Sequence, residues 1–387
     1  MILSTIYRKV ANERLRINLR NIQYSIVHRL ELNKVNFFRP DFSKPWQKTC
    51  CFILPSTKLS GGVAVVCEYA NRLKESGVKV LIATLDGTTD LSWFDNQTVE
   101  VVAWHVQRSR IRREFDTVVA TGWITAYEAA ASDIPRAFYF VQSDERRFYP
   151  NESYLKKRVE DTYRLPFRYI ILASWMQKWL KKEFRQESML IKNGINTHIF
   201  NPNGPRIAPR PINKVRIVIE GAIDLPFKRV KETIQITNCL HRNKYEIWLV
   251  SSSGEPDPSW KIDRYFSCVP HIMMGNIYRS CHILLKLSTV EGMAGPPLEA
   301  MACGCIPIVQ KVTGSDEYMI ENKNGFVVEN IGAVDEALIM KAHRLFLSTS
   351  LESNNYLLLT TQRFDWRRSS QNFYLYLGLG ERNDITS

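Results

Sequence analysis

CCFILPSTKLSGGVAVVCEYANRLKESGVKVLIAT, residues 50–84, sets the frame of the chain. CCFILP (50–55) is a short apolar run stopped by proline, which reads as a buried strand. Val66, Ala70 and Leu73 then share one side of a helix spanning about 63–76, and Gly77 is a natural helix stop. VKVLIAT (78–84) is a second strand. A strand–helix–strand unit of this kind opens a doubly wound parallel sheet. Gly61 and Gly62 stand at the first strand–helix junction. There a glycine pair allows a ligand or another backbone to come close, or simply makes the turn.

The alternation continues in both directions. Strands are expected at 98–104, 115–122, 136–142 and 169–174, with helices at 125–131 and 175–184. His105 follows the first of these strands. The loop SDERRFYPNESY (143–154) places Asp144, Glu145, Arg146 and Arg147 directly after a strand. Carboxyl ends of strands face the ligand crevice in α/β sheets, although a solvated loop has the same composition. Residues 201–213 are rich in Pro, Gly and Asn and read as a linker. A second α/β series begins at KVRIVIEGAI (214–223), with a helix at 229–241 and strands at 246–252, 281–289, 305–311 and 325–329. Phe364, Trp366, Phe373, Tyr374 and Leu377 mark a closing helix over 364–380.

The expected architecture is therefore α/β: two Rossmann-like domains facing a central cleft, 49–200 and 214–363. The closing helix completes the first. Residues 1–48 differ, with many bases, few acids and apolar residues at roughly helical spacing. They read as a basic helical extension that packs on the body or touches an anionic membrane face.

A chain of 387 residues exceeds what one core usually supports. Its net charge of +13 favours an anionic partner without naming it. The bases are dispersed and no aromatic-interleaved motif accompanies them, which argues against nucleic acid. The cysteines form no CxxC pair and suit reduced thiols in a cytoplasmic protein. No apolar run reaches transmembrane length and no cleavable signal is evident.

Function is concentrated in EGMAGPPLEAMACGCIPIV (291–309). Small residues lead into a helix that starts at Pro296 and Pro297, where a missing N–H costs nothing. Backbone N–H groups at such a turn suit an anion. Glu291 and Glu299 flank it, and carboxylates accept hydrogen bonds from sugar hydroxyls. Phosphate beside polyol suggests a nucleotide sugar. Lys228 and Arg229 precede the helix after the first strand of the second half, where cations would meet a diphosphate. No Asp-x-Asp dyad occurs in the sequence, so neither metal nor cofactor is expected.

The same stretch, EGxxxPxLEAMACGxxPI, resembles retaining GT-B glycosyltransferases of family 4. Gly61-Gly62, KNGINTHIF (192–200) and FDWRRSSQNFYLYL (364–377) resemble other elements of that family. YFVQSDERRFYP (139–150) is most similar to WsaF-type rhamnosyltransferases and rhamnan-synthesis relatives. The resemblance implies a hexosyltransferase of polysaccharide biosynthesis. Sugar would move, with retention, from a dTDP-, UDP- or GDP-linked donor to a glycan or lipid-linked glycan.

It implies roles too. Glu299 would hold ribose hydroxyls, Glu291 would face the donor sugar, and Gly292, Met293 and Ala294 would offer N–H groups. Lys228 would neutralise the diphosphate, with Gly61, Gly62 and Arg229 completing the donor side. Trp123, Gln142, Asp144 and Arg146 are candidates for the acceptor side. Two departures stand out. Ala222 replaces the arginine that commonly follows Gly221, and Thr121-Gly122-Trp123 stands where many members carry histidine. They keep open a catalytically degenerate nucleotide-sugar-binding protein. An epimerase of the same architecture is a further alternative.

Overall fold

The computed structural model describes residues 37–349 and 356–378, with 26, 28–30, 32, 33 and 35. Two parallel sheets organise these residues. The first contains β1 (Thr49–Leu54), β2 (Lys79–Thr84), β3 (Glu100–Ala103), β4 (Thr117–Ala120), β5 (Arg136–Val141), β6 (Arg168–Ile171) and β7 (Ser188–Leu190). Its strand order is β3-β2-β1-β4-β5-β6-β7. Its helices are α1 (Gly61–Glu75), α2 (Trp104–Glu114), α3 (Trp123–Ala130), α4 (Ser153–Thr162) and α5 (Ser174–Phe184).

The second sheet contains β8 (Val215–Glu220), β9 (Tyr245–Ser251), β10 (Arg264–Ser267), β11 (Ile283–Lys286), β12 (Ile306–Gln310) and β13 (Phe326–Val328), ordered β10-β9-β8-β11-β12-β13. Its helices are α6 (Val230–Asn238), α7 (His271–Ser280), α8 (Gly295–Ala302), α9 (Glu336–Thr349) and α10 (Tyr356–Thr361). Central strands such as β1, β4, β5 and β11 are buried along their whole length. Unbroken apolar runs are what a parallel sheet covered on both faces requires.

The last helix, α11 (Trp366–Gly378), returns to the first half. Trp366, Phe373 and Leu377 are buried in that core, and Phe373 stacks on Tyr69 at 4.4 Å between ring centres. The chain crosses between the halves in two adjacent places, paired where Ile195 N donates to Phe364 O at 3.0 Å.

Val35 and Phe38 of the extension join the first core, and His28 pairs with Asp161 at 2.9 Å. The expected membrane-facing stretch within residues 1–40 lies mostly outside the described residues. Among those described, no helix is long and apolar enough to cross a membrane.

One expectation changes. Residues 98–104 are not one strand: β3 ends at Ala103 and Trp104 begins α2, burying Trp104 and Ile111 seven residues apart. His105 therefore lies exposed in the first turn of a helix rather than at a strand end. The linker at 201–213 is tied to the second half. Ile207 N donates to Ser280 Oγ at 2.9 Å, and Arg210 Nε donates to Cys281 O at 2.9 Å.

Candidate functional site

In each sheet the strand order reverses beside the first strand, between β1 and β4 and between β8 and β11. Ligand crevices of doubly wound sheets open at such switch points. In the second half, the loops leaving β8 and β11 carry Lys228 and Glu291. The two meet as an ion pair, Lys228 Nζ to Glu291 Oε1, at 2.8 Å.

A second lysine joins them. Lys286 ends β11, almost fully buried, bonded to Glu220 and 3.7 Å from Glu291. Burial opposes ionisation of Glu291, but Lys228 and Lys286 prevail and hold its carboxyl below the usual range. Burial likewise works against the Lys286 ammonium, and Glu220 and Glu291 reverse it, leaving its pKa raised. The result is a charged cluster with one lysine sealed inside and the other half-buried. The lone lysine of the ILLK run was the sequence signal for Lys286, since an unpaired lysine is almost never fully buried.

Gly292, Met293 and Ala294 follow Glu291. Among the described residues their N–H groups have no hydrogen-bond partner. Pro296 and Pro297 take the first positions of α8 and offer no N–H there. N–H groups free to meet an anion therefore lie in the loop at 292–294 more than in the helix turn.

Gly292 lies against the first half: a Cβ there would stand 1.9 Å from Gln142 O. Trp175 Nε1 donates to Gly292 O at 2.9 Å, and Gln142 Nε2 donates to Gly62 O at 3.3 Å. Gln142 thus joins the glycine turn of the first sheet to the loop of the second. Met293 is half-buried and packs on both cores.

Glu299 projects from α8. Its Oε1 lies 3.4 Å from His271 Nε2, at the start of α7. Burial disfavours the imidazolium, yet Glu299, Glu68 and Asp95 together raise its pKa. Asp95 of the first half accepts from Ile272 N at 3.0 Å, and Phe94 stacks on the His271 ring. Sequence reasoning passed over His271 because nothing local marks it.

Arg229, Arg146 and Trp123 already hold other partners. Arg229 adopts a left-handed backbone at the start of α6 and reaches Glu232 and Gln310. Arg146 grips Asp144 through two 2.9 Å bonds, pairs with Glu183 and lies over Trp179 and Phe184. Trp123 is buried beneath Arg158 and donates to Tyr149 Oη at 3.1 Å. Gly61 is exposed, with open space around its α-carbon.

Glu145 was read only as part of a charged loop. It is largely buried, accepting from Trp123 N and from Tyr139 Oη, each at 3.1 Å. Burial pushes its carboxyl up to about 7, although both bonds pull the other way. Between its ordinary value and about 7 the folded protein keeps a proton that the unfolded chain releases. Stability is thus lost as pH rises through that window, by roughly 3 kcal/mol in total. Glu145→Gln should remove this slope. Urea melts at about pH 5 and about pH 8 should show the variant matching or exceeding the wild type only at the higher pH.

Residues 267–353 match the family model of glycosyl transferases group 1. No curated protein matches the sequence. Among solved structures, HepE of Anabaena in complex with UDP-glucose is 15% identical. The match covers 85% of this chain and 99% of that one, with a TM-score of 0.66. Sucrose-phosphate synthase from Thermosynechococcus elongatus is 14% identical over 85% of this chain and 98% of its own, at 0.62. The chain has the GT-B fold. The catalytic domain of starch synthase IV from Arabidopsis thaliana, bound to ADP and acarbose, is another GT-B neighbour. It is 12% identical over 87% of this chain and 99% of its own, with a TM-score of 0.61. Within this GT-B chain the group 1 segment runs from the end of β10 through α9 and contains His271, Lys286, Glu291 and Glu299.

Proposed function

We propose that the protein is a glycosyltransferase that moves a sugar from a nucleotide-diphosphate donor to a hydroxyl of a growing glycan. The observation that carries this is the loop at 292–294. Its N–H groups, unpartnered among the described residues, lie between a Glu291–Lys228 ion pair and Glu299, at the switch point of the second sheet. The GT-B fold, the group 1 segment and the UDP-glucose held by HepE support the same reading.

In this reading the loop and Lys228 receive the diphosphate. Transfer requires that phosphate to leave an anomeric carbon bearing oxocarbenium-like charge, and preorganised N–H groups and cations stabilise the charge that develops. Lys286 has a distinct part: sealed beneath Glu291, it keeps that carboxylate charged while Lys228 turns to phosphate. The leaving phosphate oxygen can take the acceptor proton on the same face, which gives retention without a protein nucleophile or a metal. The WsaF-like stretch at 139–150 favours rhamnose as the sugar.

A thermal-shift panel of dTDP-, UDP-, GDP- and CMP-sugars tests donor class, since a bound ligand raises the midpoint by mass action. A shift with one base and none with the others is expected; no shift with any would refute the proposal. Loss of turnover in EDTA with rescue by manganese would remove the metal-free mechanism. Glu299→Ala should weaken donor binding by about 1.5–3 kcal/mol for each charged hydrogen bond lost. Unchanged calorimetric affinity would reassign that carboxylate.

One observation favours a second reading. Lys228 is already paired with Glu291 and no arginine follows Gly221, as in a binding protein that has lost turnover. Donor binding without transfer or hydrolysis would support it.

A further inference from the structure

We infer that the Glu145 carboxyl binds a sugar hydroxyl inside the cleft, on the side of the first domain opposite the donor loop. The inference rests on the transferase reading above and adds a substrate-contacting residue to it.

Three observations place Glu145 there. Its Oε2 lies over Gly122, 3.5 Å from where a Cβ would stand, at the β4 side of the first sheet's switch point. The turn that carries it, Glu145–Phe148, docks on the second half at two points. Arg147 donates to Thr313 Oγ1 at 2.5 Å, and the Thr313 hydroxyl donates to Glu291 O at 3.4 Å. Phe148 meets Phe227, the neighbour of Lys228, at 5.3 Å between ring centres. One short turn therefore spans from the first switch point to both flanks of the Lys228–Glu291 pair.

The chemistry of the group fits that position. Among the described residues no lysine, arginine or histidine forms an ion pair with Glu145, so nothing there offsets the cost of burying its charge. Its oxygens accept one bond each from Trp123 N and Tyr139 Oη, which fixes the carboxyl and leaves a lone pair on each oxygen. A fixed carboxyl with open lone pairs is suited to a hydroxyl donor. Glutamine in its place could accept from Trp123 N and donate to Tyr139 Oη, so the shape and both internal bonds would persist. Tyr139 and Tyr163 pack around it at 5.9 Å from each other, stacked, and Tyr163 Oη accepts from Glu145 N at 3.0 Å.

The hydroxyl belongs either to the sugar being transferred or to the acceptor, and kinetics separate the two. Wild type, Glu145→Gln and Glu145→Asp are compared for calorimetric donor binding, for donor hydrolysis by water, and for transfer to methyl and octyl glycosides. Glu145→Gln is expected to lower kcat/KM by about tenfold to a hundredfold. It should also remove any inflection that Glu145 contributes near about 7 to the pH profile, without lowering Tm at about pH 8. Equal loss in hydrolysis and transfer assigns the hydroxyl to the donor sugar. Loss confined to transfer, with raised KM for the glycoside, assigns it to the acceptor. A wild-type kcat/KM in Glu145→Gln, or a loss that tracks a lower Tm while the inflection persists, would overturn the inference. If the wild type neither binds nor hydrolyses any nucleotide sugar, the transferase reading fails first and this one with it.

Discussion

Lys228→Ala is expected to lower kcat by about a hundredfold to a thousandfold, the scale seen when one preorganised stabiliser of developing charge is removed. Folding should survive, because Lys286 remains 3.7 Å from Glu291 and still offsets its charge. Lys286→Ala is the informative contrast. That ammonium is 3% exposed and bonded to Glu220, so its removal leaves carboxylates without their buried partner. Breaking a buried pair by deleting one member costs about 3–5 kcal/mol. The first variant should therefore fail in turnover and the second in stability. Steady-state kinetics beside urea melts separate them. A fully active Lys228→Ala would remove this residue from the mechanism.

Gly292→Ala should be the most damaging of the conservative substitutions. The added methyl would stand 1.9 Å from Gln142 O, a backbone atom that no rotamer change can move aside. The Met176 methyl group, at 2.9 Å, closes another direction. Gly314 fits against the same loop from behind: its φ of +94° suits glycine, and a Cβ there would meet Gly292 O at 2.2 Å. The loop at 292–294 is therefore held on two sides by backbone. Overpacking of this kind costs about 1–3 kcal/mol, and here the cost falls on the contact between the halves. We expect kcat/KM to drop by about ten to a hundredfold. Solution scattering should show a larger radius of gyration, with little change in Tm because each half keeps its own core. An unchanged radius with full activity would mean that Gly292 and Gln142 separate during the working cycle.

What could be read in advance follows from how local each feature is. Parallel strands covered on both faces are apolar throughout, so 50–55, 78–84 and 305–311 announced themselves. Helix α2 did not, because it buries only Trp104 and Ile111 among arginines and glutamine. The stretch at 291–309 was legible because both carboxylates, the prolines and the small residues fall within one loop and helix. The Lys228–Glu291 pair was within reach, since both residues follow strands that adjoin at a switch point. The role of His271 depends on Glu299, Asp95 and Phe94, three residues on separate elements. Glu145 is masked in the sequence by its neighbours. Asp144, Arg146 and Arg147 give the loop the look of a solvated surface, while burial of Glu145 comes from tyrosines on β5 and after α4. The approach of Gly292 to Gln142 joins residues of different halves and has no local signature.

The return of α11 bears on how the molecule is made. Phe373 and Leu377 are completely buried in the core of the first half, and Phe373 contacts both Phe52 on β1 and Tyr69 on α1. Domains usually fold as units while the chain emerges from the ribosome, N-terminal first. Here the first sheet must wait, its cleft for α11 open, until residues 366–378 have been translated. The second sheet draws all its strands from residues 215–328, but its core also takes Phe346, Leu357 and Phe364, so it closes only shortly before α11 is made. The half made first is therefore the half completed last, and it leaves Phe52 and Tyr69 without their α11 partner throughout that interval.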